Sequence, residues 1–455
     1  MSLEAAFMVP HPPLIVKEVG KGEEEKLKDT IKSYEQVADE IAKINPETII
    51  ISSPHAMYHA TTFYLDYNHE LIGSFANFNA SEVKFKEEVD EELINTIEEI
   101  SLSKSFPCHK KNETELDHGS MVPLYFIRKK QPKSKIVILG LSASPLIENY
   151  KMGMIIKEAI DKLNRKVVYV ASGDLSHKLQ EYGPYGLSKE GPIYDERIME
   201  VCSNKEFDKL LEFDEEFLDK AAECGHRSFT IMAGTLDGLD VDAKKLSHED
   251  ITGVGYGICT FYPKGTNPNR KFYDKYVNNY KEKNKSNDEL VNLAKDTIYN
   301  YIVNKKIIDI PENTSDYLLN NKSGVFVSIH KFGNLRGCIG TFLPTKDNIA
   351  LEIINNAISA STKDYRFNPI TKDELDFLNI NVDVLTTPEY IESKEQLDPK
   401  KYGVIVSSGY KRGLLLPDLE GIDDIDEQIA IAKQKAGIDE FEKIELQRFE
   451  VVRHK

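Results

Sequence analysis

The sequence contains no tryptophan, no CxxC pair and no long apolar segment. Its five cysteines are an odd number without zinc-ligand spacing, which argues against a disulfide framework and against a structural zinc site. No apolar run approaches the roughly 18 residues of a membrane-spanning helix, and residues 1–9 lack the basic and apolar regions of a secretory signal. The protein is therefore expected to be cytoplasmic, with no membrane partner.

Positively charged residues are fewer than negatively charged ones. The 58 Lys and Arg residues face 75 Asp and Glu residues, which gives a net charge of −17 and an isoelectric point near 5.3. Such a chain repels polyanions, so nucleic acid is not an expected partner. Hydrophobic residues make up 40% and charged residues 29%, a mixture typical of folded globular proteins rather than of disordered or collagen-like chains. The 455 residues predict two or three domains.

Two domains of different class are predicted. Residues 1–263 alternate short apolar runs with helical patterns, which is typical of an α/β fold with a mostly parallel sheet flanked by helices. Residues 264–285 are rich in Lys, Asn, Gly and Pro and are predicted to be a linker. Residues 286–455 combine hairpins with helices and are predicted to be α+β. The strands predicted in the first domain are residues 5–9, 48–52, 135–141, 167–171 and 256–262, and one predicted helix spans 82–100.

Histidine is concentrated in the first domain, which holds nine of the eleven. His11, His55 and His177 each follow a predicted strand. A lone histidine is more often structural than a ligand, but the carboxyl ends of parallel strands meet at the edge where α/β sheets bind ligands. His118 and the segment 223–226 precede helical patterns and can join this edge. A ligand-binding histidine cluster is therefore predicted.

The donor types restrict the chemistry. Two imidazoles and one carboxylate suit non-haem Fe(II) and its reactions with O₂, whereas imidazoles alone suit zinc equally well. The HExxH, GxSxG and P-loop motifs are absent from the sequence.

Five short motifs follow one another in the first domain. They are Val9-Pro10-His11-Pro12-Pro13, Ser53-Pro54-His55, Asp117-His118-Gly119, Gly173-Asp174-Leu175-Ser176-His177 and Glu223-Cys224-Gly225. Over about residues 1–263, this ordered set resembles the class III extradiol dioxygenase β-subunit family, which includes the Memo-like proteins. The resemblance implies that His11, His55 and Glu223 hold Fe(II), and that a catechol-like or other chelating substrate is cleaved with O₂.

The same resemblance implies that His118 and His177 transfer protons during the reaction. An ordinary histidine pKa near 6.5 allows either direction of transfer near neutrality. Asp117 and Asp174 are candidates to orient these imidazoles. Their alternative roles are a helix N-cap for Asp117 and a turn residue for Asp174.

The third metal ligand has two candidates. As a metal ligand, the Memo-like members of this family use a cysteine where the dioxygenases use a glutamate. This chain has both residue types at that place, because Glu223 directly precedes Cys224. Glu223 is preferred because a hard carboxylate completes an Fe(II) site, whereas a Cys224 thiolate would favour Cu(I) or zinc. Two other functions stay open: a Memo-like metal- or peptide-binding protein without turnover, and a zinc hydrolase.

Three motifs of the second domain carry a second resemblance. They are Leu335-Arg336-Gly337-Cys338-Ile339-Gly340, Asp364-Tyr365-Arg366-Phe367-Asn368-Pro369 and Arg412-Gly413-Leu414-Leu415-Leu416-Pro417. Over about residues 286–455 they resemble the AMMECR1 family, which implies an α+β fold of unassigned activity. Members of that family are often fused to, or encoded beside, a Memo-like protein and a radical-SAM protein, so a radical-SAM partner is expected.

The second domain offers four candidate site residues. Arg336, Arg366 and Arg412 could converge on an anion beside Cys338. In the alternative interpretation, the arginines form surface ion pairs and Cys338 is a small buried residue on a bulged strand. No histidine in the motif supplies a base for Cys338, so no nucleophile is assigned.

Overall fold

The computed structural model describes residues 2–419 and 421–455. The chain forms two compact units, Met1–Asn278 and Asn279–Lys455. Among the described residues, no helix combines the length and the apolar character needed to cross a membrane.

The first unit is built on an eight-stranded sheet with the order β6-β3-β7-β2-β8-β1-β10-β9. Strands β7, β2, β8 and β1 pair in parallel, β6 is parallel to β3, and the β1–β10, β10–β9 and β3–β7 pairs are antiparallel. A separate hairpin is formed by β4 and β5. The strands are β1 (Leu3–Val9), β2 (Thr48–Ser53), β3 (Phe63–Tyr67), β4 (Glu70–Phe75), β5 (Ala80–Glu88), β6 (Cys108–Asn112), β7 (Lys135–Gly140), β8 (Val167–Ser172), β9 (Leu239–Glu249) and β10 (Tyr256–Thr266).

Helices cover the first unit's sheet. Because parallel strands are buried on both faces, they read as continuous apolar runs; Ile49–Ile51 in β2 are fully buried. The helices are α1 (Lys17–Gly20), α2 (Lys28–Ile44), α3 (Glu91–Ser103), α4 (His118–Ile127), α5 (Leu146–Leu163), α6 (Glu190–Asn204), α7 (Glu215–Ala221), α8 (His226–Thr235) and α9 (Phe272–Lys283). The predicted α/β class is confirmed, and all five predicted strands are present.

Two predicted segments differ from the structure. Residues 82–88 belong to β5 rather than to a helix, and α3 begins only at Glu91, where the Asp90 side chain caps it. Segment 264–285, predicted as a linker, contains the end of β10 and all of α9. Phe272 and Val277 are the buried residues of α9. Because lysines and asparagines surround these two apolar positions, the helical periodicity of the segment was too weak to predict α9.

The second unit is α+β, as predicted. One antiparallel sheet has the order β12-β11-β13-β18 and the other β14-β17-β15-β16. The inner residues of β11 and β13 form one apolar core with α10 and α12. Its elements are α10 (Glu289–Asn304), α11 (Asp316–Asn320), β11 (Val325–Lys331), β12 (Asn334–Gly340), α12 (Ile349–Thr362), β13 (Leu378–Leu385), β14 (Glu389–Ile391), β15 (Gly403–Ser408), β16 (Lys411–Leu415), α13 (Ile425–Ala436), β17 (Glu445–Phe449) and β18 (Val451–His454).

Candidate metal centre

The predicted histidines meet at the carboxyl edge of the parallel strands. His11 follows β1 and His55 follows β2, and their Nε2 atoms lie 3.0 Å apart. His118, the first residue of α4, joins them, so that one ligand atom from each of the three histidines lies within 4.8 Å of the others. The His55 and His118 rings are 4.0 Å apart between centroids. Three separate segments of the chain thus form one imidazole cluster.

His11 is held in an orientation suited to a ligand. Its ring is 2% exposed, and its backbone N–H donates to Asp174 Oδ1 at 2.7 Å. Its Nδ1 contacts Ser172 Oγ at 3.0 Å, and that hydroxyl donates a hydrogen bond to the Gly119 carbonyl at 2.6 Å. Ser172 Oγ must therefore accept a hydrogen bond from the Nδ1–H of His11, which leaves a lone pair on Nε2 directed at the cluster. Ser172 directly precedes the Gly173–His177 motif but was not among the predicted site residues.

Cys224 is the neighbour of His11 on the other side. Its Sγ lies 3.6 Å from His11 Nε2 and accepts a hydrogen bond from the Asp174 N–H at 3.3 Å. One ligand atom each from His11, Asp174 and Cys224 again lies within 4.8 Å of the others. The structure therefore places Cys224, the alternative ligand predicted from the sequence, beside His11.

Glu223, the preferred third ligand, is not in either group of potential ligands among residues 2–419 and 421–455. Its Oε2 accepts the backbone N–H of His226 at 2.5 Å. The first residues of a helix have N–H groups without partners inside the helix, and Glu223 satisfies the first one of α8. Burial raises the pKa of this carboxyl to about 7. In this geometry Cys224, and not Glu223, is the neighbour of His11, and the identity of the third ligand stays a prediction.

The electrostatics of the cluster fit a cation. Burial, followed by the charge of His55, lowers the pKa of His11 well below its ordinary value. Burial also lowers the pKa of His118 to about 4 and raises the pKa of the Cys224 thiol. Neutral imidazoles beside a thiol are the donor set of a transition metal, and metal binding releases the thiol proton that burial otherwise retains.

His177 lies near the cluster with a free ring nitrogen. Its Nε2 is buried and has no hydrogen-bond partner within the described part of the chain. Burial lowers the pKa of this imidazole, and the ring of Tyr185 lies 5.2 Å away at an angle of 32°. Tyr185 belongs to the segment between β8 and α6, where the sequence showed no periodic signal. An unpartnered buried nitrogen is positioned to receive a hydrogen bond from a ligand.

The two predicted orienting carboxylates accept backbone N–H groups, and Asp117 also accepts serine hydroxyls. Asp117 caps α4 by accepting the Ser120 N–H at 3.1 Å and also accepts the Ser53 hydroxyl at 2.6 Å, so the alternative helix-cap role is observed. Asp174 binds the His11 N–H, and burial raises the pKa of its carboxyl to about 6. Both fix the segments that carry the imidazoles.

A cavity of about 930 Å³ opens beside His118. Its apolar wall includes Phe78, Phe85 and Met121, and Lys84 and Glu113 add charge of both signs. The Phe78 ring lies 5.5 Å from the His118 ring. This volume accommodates a small organic molecule next to the imidazoles.

The candidate residues of the second unit have partners of their own. Arg336 forms a paired contact with Glu374 at 2.9 and 3.0 Å, and Arg366 pairs with Asp364. Arg412 donates to Gln447, and its guanidinium lies over Phe342. Cys338 is half-buried and contacts Ser328 Oγ at 3.2 Å. The ion-pair interpretation therefore describes Arg336 and Arg366, and a shared anion stays a prediction.

Comparison with known families agrees with this architecture. The family model described as the catalytic LigB subunit of aromatic ring-opening dioxygenase matches residues 5–259, more than half of the chain. The chain belongs to this family. The AMMECR1 family model matches residues 291–454, so both predicted resemblances are confirmed.

One relative matches the whole chain, and two others match about a third of it. A protein of Clostridium acetobutylicum is 41% identical, and the match covers 100% of both chains. A protein of Thermotoga maritima is 52% identical over 160 residues, which are 35% of this chain and 92% of that protein. An uncharacterized protein of Pyrococcus horikoshii with a crystal structure is 33% identical, with a TM-score of 0.34, over 36% of this chain and 88% of that one.

Proposed function

We propose that the first unit is a metal-dependent oxidoreductase that binds a redox-active transition metal through His11, His55 and Cys224 and oxidises a small chelating substrate with O₂. The observation that carries the proposal is that His11 Nε2, at the carboxyl edge of the sheet, lies 3.0 Å from His55 Nε2 and 3.6 Å from Cys224 Sγ. The family's description as a ring-opening dioxygenase supports a catechol-like diol as the substrate. A redox-active metal bound there would supply the activation of O₂ towards a chelating diol.

The protein's own groups provide substrate binding and proton transfer. The cavity beside His118 takes the body of the substrate against Phe78 and Met121. His177, neutral near pH 7 because of its lowered pKa, accepts a proton from a substrate hydroxyl at its unpartnered Nε2. His118, also neutral, hydrogen-bonds the substrate.

A metal-binding test separates the two candidate ligands. Cys224→Ala removes the thiol, and Glu223→Gln keeps an acceptor for the His226 N–H while removing the carboxylate charge. We expect Cys224→Ala to lower metal affinity at least ~10-fold and Glu223→Gln to leave it close to wild type. Metal content is measured after anaerobic dialysis against Fe(II), Cu(I) and Zn(II). Loss of metal in Glu223→Gln alone would return the assignment to the carboxylate.

A turnover test addresses the chemistry. Oxygen uptake by the Fe(II)-loaded protein is measured on a panel of catechols, together with the absorbance of ring-fission products. We expect His177→Ala to lower the rate ~100-fold or more at unchanged metal content, because general base catalysis contributes that much. Metal binding without uptake by the wild-type protein would exclude the oxidation of catechols.

A second candidate is metal binding without turnover, as in the Memo-like alternative, with a radical-SAM protein as partner. Cys224 favours it, because thiolates select Cu(I) or zinc over Fe(II). Preferential retention of Cu(I), with no oxygen uptake, is the outcome that this candidate predicts. Preferential zinc binding together with ester hydrolysis would instead indicate the hydrolase alternative.

A further inference from the structure

Asp195 is a buried carboxylate outside the metal cluster. It lies on α6, and its side chain is 2% exposed. Its Oδ1 accepts the backbone N–H of Ser176 at 2.8 Å, and its Oδ2 contacts His248 Nε2 at 2.8 Å. Both carboxylate oxygens are thus occupied, one by the residue that directly precedes His177.

The backbone around Ser176 links several parts of the site. Its carbonyl accepts the Gly255 N–H at 2.8 Å, and its hydroxyl donates to the Ala221 carbonyl at 2.7 Å. The His177 N–H donates to the Ala222 carbonyl at 3.3 Å. Residues 221 and 222 lead directly to Cys224, so the segments that carry His177 and Cys224 are joined at this point. Asp195 supports that junction through its hydrogen bond with the Ser176 N–H.

Close packing leaves Asp195 little freedom. A Cβ added to Gly255 would lie 1.9 Å from Asp195 Oδ2, so the carboxylate occupies the space where a side chain would stand. A buried carboxylate costs free energy unless it is hydrogen-bonded or paired. The Ser176 N–H and His248 provide that compensation.

His248 connects this buried group to solvent. It lies on β9, and its side chain is 26% exposed. It lines a cavity of about 560 Å³ together with Glu196, Glu200 and Lys245. The lining of this cavity does not include His11, His55 or Cys224, so a substitution of His248 leaves these three residues in place.

We propose that Asp195 and His248 form a positioning pair that fixes the His177 imidazole through the Ser176 N–H. The position of His177 follows from the contacts of these residues, and only its role as proton acceptor rests on the proposed function. Asp195 acts through the backbone and does not touch the reacting atoms. The pair also maintains the junction between the His177 and Cys224 segments.

The test follows the ring resonances of isotope-labelled histidine against pH in the metal-free full chain. Asp195→Ala removes the acceptor for Ser176, whereas Asp195→Asn retains one. We expect Asp195→Ala to shift the His177 titration midpoint upwards by ~0.5 unit or more, towards the ordinary value near 6.5, because the imidazole becomes better solvated. Asp195→Asn is expected to restore the wild-type midpoint. The His11 and His55 resonances are expected to keep their positions in both variants.

His248→Ala keeps the proposal testable if Asp195→Ala does not fold. It is matched with His454→Ala, which removes a histidine from a comparable pair with Asp288 in the second unit, where Nδ1 and Oδ2 are 2.7 Å apart. We expect His248→Ala, but not His454→Ala, to move the His177 midpoint in the same direction. An unchanged His177 midpoint in folded His248→Ala and Asp195→Ala would overturn the proposal, as would a failure of Asp195→Asn to restore it. The measurement uses neither metal nor substrate, so its result is independent of whether the centre oxidises a catechol.

Discussion

Replacement of Asp66 by asparagine should stabilise the protein, and only above acidic pH. Asp66 lies on β3 with 3% of its surface exposed, and its Oδ1 has no hydrogen-bond partner among the described residues. Burial, together with the charges of Asp117 and Glu113, raises the pKa of this carboxyl from 3.8 to about 7. Between these two values the folded protein retains a proton that the unfolded chain releases.

The magnitude follows from linkage between protonation and folding. A raised carboxyl pKa means that the free energy of unfolding falls as the pH rises from about 4 to about 7, and then stays constant. At about 1.4 kcal/mol for each pKa unit, a difference of roughly 3 units costs about 4 kcal/mol above pH 7 as an upper bound. The asparagine side chain of Asp66→Asn carries no charge and avoids this cost at every pH.

Urea unfolding at pH 4, 6 and 8 measures the effect. Circular dichroism is the suitable probe because the chain has no tryptophan. We expect Asp66→Asn to exceed the wild type by ~2–4 kcal/mol at pH 8 and to match it near pH 4. Asp240→Asn, at an exposed position of β9, is the control and should show no such trend. A difference between Asp66→Asn and wild type that does not grow between pH 4 and pH 7 would refute the reasoning.

Two further substitutions test the contacts of each unit. In Gly173→Ala the new Cβ would lie 2.1 Å from the Cα of Gly225. We therefore expect the free energy of unfolding in urea to fall by ~1–3 kcal/mol, and metal to be retained less well. Gly265→Ala, where the new Cβ meets open space, is the control and should unfold like the wild type. Arg336→Met leaves the half-buried Glu374 without its two charged hydrogen bonds, so we expect the second unit to lose ~2–3 kcal/mol in thermal unfolding followed by calorimetry. An unchanged melting transition would show that the Arg336–Glu374 pair contributes nothing to stability.

Local patterns determined much of the fold. The central parallel strands are apolar on both faces, and such runs are visible in the sequence whatever their neighbours are. The grouping of residues at the carboxyl edge of the sheet could also be predicted from the sequence, because parallel strands bring the residues that follow them to the same edge. His11 and His55 accordingly meet, as their positions after β1 and β2 predicted. Strand β5 was missed because its short alternating pattern lies directly before the stronger apolar periodicity of α3.

The sequence by itself determined the two fold classes, the two families and the histidine cluster, because these depend on short motifs and on periodicity. Only the tertiary structure showed that Cys224, rather than Glu223, contacts His11. These two adjacent side chains point in different directions. Glu223 accepts the backbone N–H at the start of α8, whereas Cys224 contacts the His11 imidazole. The contact between Asp195 and His248 was equally hidden, since it joins α6 to β9 across 53 residues of chain. Contacts of this kind are set by how distant segments pack, and no local pattern records them.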